Sequence, residues 1–302
     1  MRNKLFLLIC LVILSISLRA SDKTVIPITT ENTSLIFKVG DNSRLYQSYL
    51  GQKLRFDSDI DQLPMGKEAY ITHGMEDYFE PAIRVLHNDG NPSLLLKYVS
   101  SDSRELQPGV TETVIKLKDD VYPVIVDLYF IAYAKENIIK TYTEISHQEK
   151  KPVTLYNYAS SMLHLNGDKY FLTEFVGDWA HEVNMTEQQL SFGKKVLDTK
   201  LGSRANMFNS PFFLLALDEK AEENEGEVLF GTIGWTGNFR FTFEVDNLNN
   251  LRILSGINNY ASEYSLKPKE VFRTPEFIFT FSAEGKGKAS RDFHKWAVIS
   301  HV

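Results

Sequence analysis

Apolar and polar residues alternate along most of the chain, which predicts strands rather than helices. Residues 35–39 and 45–51, with a Gly40-Asp41-Asn42 turn between them, predict a hairpin. Residues 82–86 and 94–100 predict a second hairpin around Asn88-Asp89-Gly90. Residues 110–117 and 124–133 read as further strands, and 138–146 and 153–165 are expected to pair across 147–152. The run 212–217 is apolar on both faces, so it predicts a strand covered on both sides. Arg240, Thr242 and Glu244 alternate with Phe239, Phe241, Phe243 and Val245, which predicts one wet face. Phe277, Phe279 and Phe281 alternate with Ile278 and Thr280. Turn formers fill 236–238, 247–250 and 267–269. Residues 57–80 have no period and read as a long loop, a place where function often resides. No helix is expected before 290–298, where Ser290 is the N-cap and Phe293, Trp296 and Ala297 share a face. The fold class that follows is all-β: a large two-sheet antiparallel β-sandwich with a short C-terminal helix.

Composition refines this picture. A hydrophobic content of 43% and an aromatic content of 12% over 302 residues supply a large core. The formal charge is −6 and no Lys/Arg run occurs in the body of the chain, so no nucleic-acid partner is expected. The acidic stretch 218–227 reads as a solvated loop between strands. Residues 1–20 join a basic start (Arg2, Lys4) to an apolar run and a small residue, Ala20, the pattern of a signal peptide. The expected localisation is export, periplasmic or secreted, with no membrane association after cleavage. The single cysteine, Cys10, lies in that segment, so the mature chain has neither a disulfide nor a thiolate nucleophile.

Candidate chemistry is sparse. Asp57, Asp59 and Asp61 stand at period two, a calcium-like spacing, but no glycine or closing glutamate completes a calcium loop. His73, His147, His164, His181 and His294 are scattered without zinc-site spacing. No G-x-S-x-G elbow is present. No metal, cofactor or catalytic residue is therefore assigned.

Six stretches in order carry a resemblance: G-D-W-A-H-E (177–182), S-R-A-N-M-F-N-S-P-F (203–212), W-T-G-N-F (235–239), G-I-N (256–258), L-K-P-K-E followed by R-T-P-E (266–276), and F-H-K-W (293–296). Together they resemble the N-terminal domain of glycoside hydrolase family 36, the α-galactosidases, and the likeness extends weakly back to about residue 31. The resemblance implies a supersandwich of the galactose-mutarotase kind. It also implies retaining hydrolysis of terminal α-galactosides, by two carboxyl groups carried on a (β/α)8 barrel that follows the sandwich. The family's K-x-D-x-N, C-x-x-G-W and S-D-x-x-D stretches do not occur here. The expected organisation is a signal peptide at 1–20, a sandwich at 21–289, and at 290–302 the start of a helical linker to a barrel that this chain lacks. Such a chain is expected to be inactive by itself.

In the family the sandwich is thought to wall the barrel's pocket, in some members from a neighbouring subunit, so the implied partners are an α-galactoside, a barrel domain and a further copy of the chain. Carried over residue by residue, Trp179 matches the tryptophan of G-x-W-x-x-E and could stack on a galactose ring; a buried core position is the alternative. Asp77 matches an aspartate in a G-x-x-D-aromatic stretch, as a sugar ligand or a turn cap, although Phe79 replaces the family's arginine. Arg204 and Asn209 fall in the S-R…P-F stretch, which is two residues shorter than usual and lacks the family's His-Gln. Asn238 and Asn258 match asparagines that are either ligands or turn residues. Two other functions stay open: a stand-alone carbohydrate-binding sandwich, and a mutarotase-like enzyme with its own acid and base.

Overall fold

The computed structural model describes residues 24–74, 79–204 and 208–300. An N-terminal antiparallel sheet runs β1 (Val25–Thr29), β2 (Thr33–Val39), β3 (Leu45–Gln52), β4 (Lys67–Glu68), with helix α1 (Asp57–Gln62) between the last two. The next strands are β5 (Ile83–Leu86), β6 (Leu96–Gln107), β7 (Val110–Asp119), β8 (Val124–Tyr133), β9 (Ile138–His147) and β10 (Val153–Asn166). They are followed by β11 (Tyr170–Val176), β12 (Asn184–Gln189), β13 (Gly193–Asp198), β14 (Asn209–Leu217) and β15 (Glu227–Gly234). The chain closes with β16 (Phe239–Val245), β17 (Asn250–Ile257), β18 (Tyr264–Leu266), β19 (Val271–Arg273), β20 (Glu276–Ser282) and α2 (Gly285–Ser300).

The large sheet has the order β12-β11-β14-β15-β20-β9-β8-β7-β6, with β19 also on β9. The small sheet has the order β13-β16-β17-β10-β18, with β5 also on β10. The two face each other as the alternation predicts. Phe213 of the large sheet meets Phe243 of the small one edge to face, centroids 4.8 Å apart. The N-terminal sheet is a third sheet that the two-sheet expectation lacks. Its inner residues join the same core, with Phe37 5.2 Å from Phe130. The run 212–217 is covered on both sides as expected: Phe213, Leu215 and Leu217 face the main core, and Leu214 and Ala216 lie in a separate cluster with Ala289 of α2.

Several expectations are corrected. The strands at 138–146 and 153–165 form, but they do not pair. β9 bonds to β8, β20 and β19, whereas β10 bonds to β17, β18 and β5. They face each other across the core, where Thr143 Oγ1 donates to the Ser160 carbonyl at 3.4 Å. Alternation specifies which side of a strand is buried but not its neighbour. The turn at 88–90 also forms, yet β5 joins β10 and β6 joins β7. Its loop closes on local contacts instead: the His87 ring lies 2.7 Å from Glu149 Oε1, 2.8 Å from the Ser93 carbonyl, and stacks on Tyr122.

The expected wet face of β16 is covered. Thr242 and Glu244 are buried and Arg240 is half-buried, because residues 79–82 strap across this face. Glu80 N donates to Glu244 Oε2 at 3.1 Å, and the Arg252 guanidinium sits 3.9 Å from the Phe79 ring centre. The supposed loop 57–80 thus contains α1, β4 and part of this strap. Asp59 caps α1 by accepting the Phe56 N–H at 3.1 Å, a structural use for one of the three spaced aspartates.

The C-terminal helix begins at Gly285, five residues before the expected N-cap. Its first N–H groups are bound by the acidic 222–226 segment: Gly285 to Gly226 O, Lys286 to Glu222 O, Gly287 to Glu223 O, at 3.0, 2.9 and 2.9 Å. A Cβ on Gly285 would stand 2.5 Å from Glu222 O. Glycine, with no Cβ, permits this close approach.

Candidate functional site

Four connections meet at one end of the sandwich: 177–183 between β11 and β12, 199–204 with 208 between β13 and β14, 235–238 between β15 and β16, and 258–263 between β17 and β18. The register places them together. Val176 pairs with both Asn184 and Asn209, and Asp198, Arg240 and Gly256 are cross-strand neighbours.

Trp179 stands at the tip of the first loop and is 85% exposed, which removes the core reading. The loop that carries it is tightly braced. Asp178 and His181 exchange backbone bonds of 3.3 and 2.9 Å, and Trp179 N donates to Asp178 Oδ1 at 2.7 Å. Asn184 Nδ2 donates to the His181 carbonyl at 2.6 Å. A Cβ on Gly177 would meet His181 O at 2.4 Å, so only glycine fits. Ala180 and Val183 have φ of 64° and 59°; for β-branched Val183 this is a costly backbone, of the sort that clusters at functional loops. Gly177 N reaches Phe208 O at 3.0 Å and ties this loop to the next.

The three asparagines hold that next loop. Asn209 Nδ2 donates to Asp198 O at 2.9 Å, and Asn238 Oδ1 accepts Gly202 N at 2.7 Å. Asn258 Nδ2 donates to Thr199 O at 2.9 Å and to Asp198 Oδ2 at 3.2 Å, while its Oδ1 accepts Tyr260 N at 3.0 Å. With 4% of its surface exposed, Asn258 is a bracket, as are Asn209 and Asn238. Arg204 ends a 3-10 turn (Gly202–Arg204) and is exposed. The structure therefore gathers Asn209, Asn238 and Asn258 around 198–204, with Arg204 on the same segment and Trp179 tied to its far end. Asp77 lies outside the described residues.

The sequence reading missed the other rings at this end. Phe208, Trp235 and Tyr260 are 47%, 40% and 61% exposed. Lys200 Nζ lies 5.1 Å from the Tyr260 ring centre and 2.8 Å from Asp198 Oδ2. Their signal was available: each ring stands beside turn formers, Asn209-Ser210-Pro211 for Phe208, Thr236-Gly237-Asn238 for Trp235 and Asn258-Asn259 for Tyr260. Nearby, burial raises the pKa of Tyr158, which stays a hydroxyl donor at neutral pH. Among the described residues, no group of three or more His, Cys, Asp or Glu is placed to hold a metal ion. The end presents exposed rings and hydrogen-bonding groups on a stiff frame, an arrangement suited to stacking on an apolar ring face.

Residues 42–267 match the family model described as the glycosyl hydrolase family 36 N-terminal domain. Alpha-galactosidase 2 of Pediococcus pentosaceus is 30% identical over 258 residues, 80% of this chain and 35% of that protein. Alpha-galactosidase Mel36A of Lactobacillus acidophilus is 26% identical over 248 residues, 78% of this chain and 33% of that protein. The chain spans about a third of the length of these curated relatives. Among solved structures, the crystal structure of the alpha-galactosidase from Lactobacillus brevis superposes with a TM-score of 0.84 at 22% identity, over 92% of this chain and 42% of that one.

Proposed function

The chain belongs to the glycosyl hydrolase family 36 N-terminal domain family, and from that premise we propose that it serves as the sandwich domain of an exported α-galactosidase. Its role is to present the loop end as one wall of a pocket for terminal α-galactosides, against a catalytic domain of its own or a neighbouring subunit. The observation that carries this reading is Trp179: an indole 85% exposed on a braced, strained loop. An exposed ring of this size is costly in water unless something covers it, and a sugar's C–H face is a fitting cover. Residues 1–20 act as the export signal, 21–289 form the sandwich, and 290–302 begin a connection to the catalytic domain. The chain turns over no α-galactoside by itself, since retaining hydrolysis needs a pair of carboxyl groups about 5 Å apart in a sugar-sized pocket.

The test is a chimera in which this chain replaces the N-terminal sandwich of the Pediococcus pentosaceus relative. The chimera is expected to hydrolyse a nitrophenyl α-galactoside, and this chain alone is not. Trp179→Ala in the chimera is expected to lower kcat/KM about ten- to a hundredfold, the equivalent of the roughly 1–3 kcal/mol that ring stacking supplies elsewhere. An active chimera indifferent to Trp179→Ala would refute the pocket-wall role.

A further inference from the structure

Beside the loop end, a small cleft with about 50 Å³ of water-accessible space opens between the strap and the small sheet. Glu80, Asn157, Tyr158, Arg240, Thr242 and Asn259 supply its polar lining, and Leu254, Ile257 and Pro81 its apolar lining. That space takes a small headgroup, and the rest of a larger ligand would lie in the open mouth. Arg240 is the anomaly in it. Its Nε is shut off from water and has no hydrogen-bond partner among the described residues. A buried donor on a permanent charge is among the costlier groups to leave unmatched.

The neighbouring acceptors are already engaged. Glu80 Oε2 is held by Lys194 at 2.8 Å, and Glu244 by Lys194 and Arg252, each at 3.8 Å. Asp198, directly across the strand pair from Arg240, is held by Lys200 at 2.8 Å and Asn258 at 3.2 Å. Asn259 Nδ2 donates to Tyr156 O at 2.6 Å and to Asn157 Oδ1 at 2.5 Å, and Asn157 Nδ2 reaches Pro81 O at 3.5 Å. Each of these carboxylates has its own cation, and among the described residues no carboxylate pairs with Arg240. The covered face of β16 thus places a guanidinium at a small, mixed-polarity pocket, with its Nε unmatched among the described residues.

We propose that this pocket binds a small monocarboxylate through Arg240. The guanidinium fork matches a carboxylate in two parallel bonds, and the Thr242 and Tyr158 hydroxyls and the apolar wall would receive the ligand's body. A sugar acid and a simple aliphatic acid share this chemistry. The inference does not depend on the galactosidase reading, because it concerns the strap-covered sheet face and not the Trp179 loop.

Calorimetric titration of the full chain at low ionic strength and neutral pH separates the cases, with D-galacturonate, D-galactose and acetate as probes. D-galacturonate is expected to bind at least tenfold tighter than D-galactose, and Arg240→Met to weaken it at least tenfold. Acetate binding as tightly as D-galacturonate identifies a simple carboxylate as the ligand; much weaker acetate binding identifies a sugar acid. Arg240→Lys, which keeps the charge without the fork, is expected to give an intermediate loss and supplies the comparison if the methionine variant fails to fold. Equal affinity for D-galactose and D-galacturonate, no binding of either acid at millimolar concentration, or binding unchanged in both Arg240 variants would overturn the proposal.

Discussion

The side-chain amide of Gln47 grips the backbone of His164 from both sides: its Nε2 donates to the His164 carbonyl at 2.7 Å and its Oε1 accepts the His164 N–H at 3.0 Å. Gln47 lies on β3 and His164 on β10, so one buried side chain extends the small sheet's hydrogen bonding into the N-terminal sheet. Replacing it by leucine leaves a buried donor and a buried acceptor unmatched. Gln47→Leu is expected to destabilise the chain by on the order of 3 kcal/mol, at about 1–3 kcal/mol per orphaned group. A urea titration should show a lower midpoint with an unchanged slope. An unchanged midpoint would mean that the two sheets do not depend on this clasp.

His164 itself makes stability depend on pH. Its ring is buried, with Nε2 2.7 Å from the Glu68 carbonyl, and desolvation lowers its pKa from 6.5 to about 4. The unfolded chain therefore binds more protons than the folded one between those values, and stability rises with pH across that window. The contribution is complete above about pH 6.5 and is lost as pH falls through about 4. It amounts to roughly 3 kcal/mol at 1.36 kcal/mol per pKa unit. His164→Gln, which cannot titrate, should flatten the curve of melting temperature against pH between 4 and 6.5. Parallel curves for parent and variant would contradict the assignment.

Strand positions were legible in the sequence because each strand carries its own alternation, and β8 falls at the expected 124–133. Neighbours were not, since the same period fits any partner: β9 and β10 follow each other in the chain yet lie in opposite layers. Arg240, Thr242 and Glu244 read as wet because the residues that cover them, 79–82, have no period of their own. At the loop end, the motif residues Asn209, Asn238 and Asn258 were identifiable, but their side chains bind backbone. Whether an asparagine holds a loop or faces a ligand depends on its orientation, and spacing does not encode that.

The acidic 222–226 segment and the two glycines of α2 form a helix cradle that can be tested by a reversal of sign. Alanine for glycine ordinarily favours a helix by about 1 kcal/mol. Gly285 has φ of 77°, and a Cβ there would crowd three backbone atoms of 222–225 at 2.5–2.7 Å. Gly285→Ala is expected to destabilise by about 1–3 kcal/mol, from backbone strain and overpacking together. Gly287→Ala should cost less, because its nearest obstacle is the movable end of the Glu223 side chain. Thermal melts of both variants check the order; a Gly285→Ala protein as stable as the parent would show that the helix start can shift.

The loop end separates display from support, and two substitutions measure the difference in the chain by itself. Trp179 is 85% exposed, and the contacts that shape its loop come from the backbone and from Asp178, Glu182 and Asn184. Removing its ring should change stability by no more than about 0.5 kcal/mol, as for an ordinary surface position. A core tryptophan would cost about 3–5 kcal/mol. Asn258 is buried and joins three segments: it bonds Thr199 and Asp198 on one, Tyr260 on its own, and through its N–H the Asn238 carbonyl at 2.9 Å. Asn258→Ala leaves the Thr199 carbonyl and the Tyr260 N–H without these partners, at a cost of about 1–3 kcal/mol. Melting temperatures of the two variants should therefore separate clearly, Trp179→Ala near the parent and Asn258→Ala well below it. Iodide quenching gives an independent reading, since the chain has three tryptophans and Trp296 is 6% exposed. Trp179→Ala should remove the larger share of the quenchable fluorescence and leave that of Trp235, which is 40% exposed. If Trp179→Ala instead melts as low as Asn258→Ala, the indole is part of the support, and the ring is not free to cover a ligand.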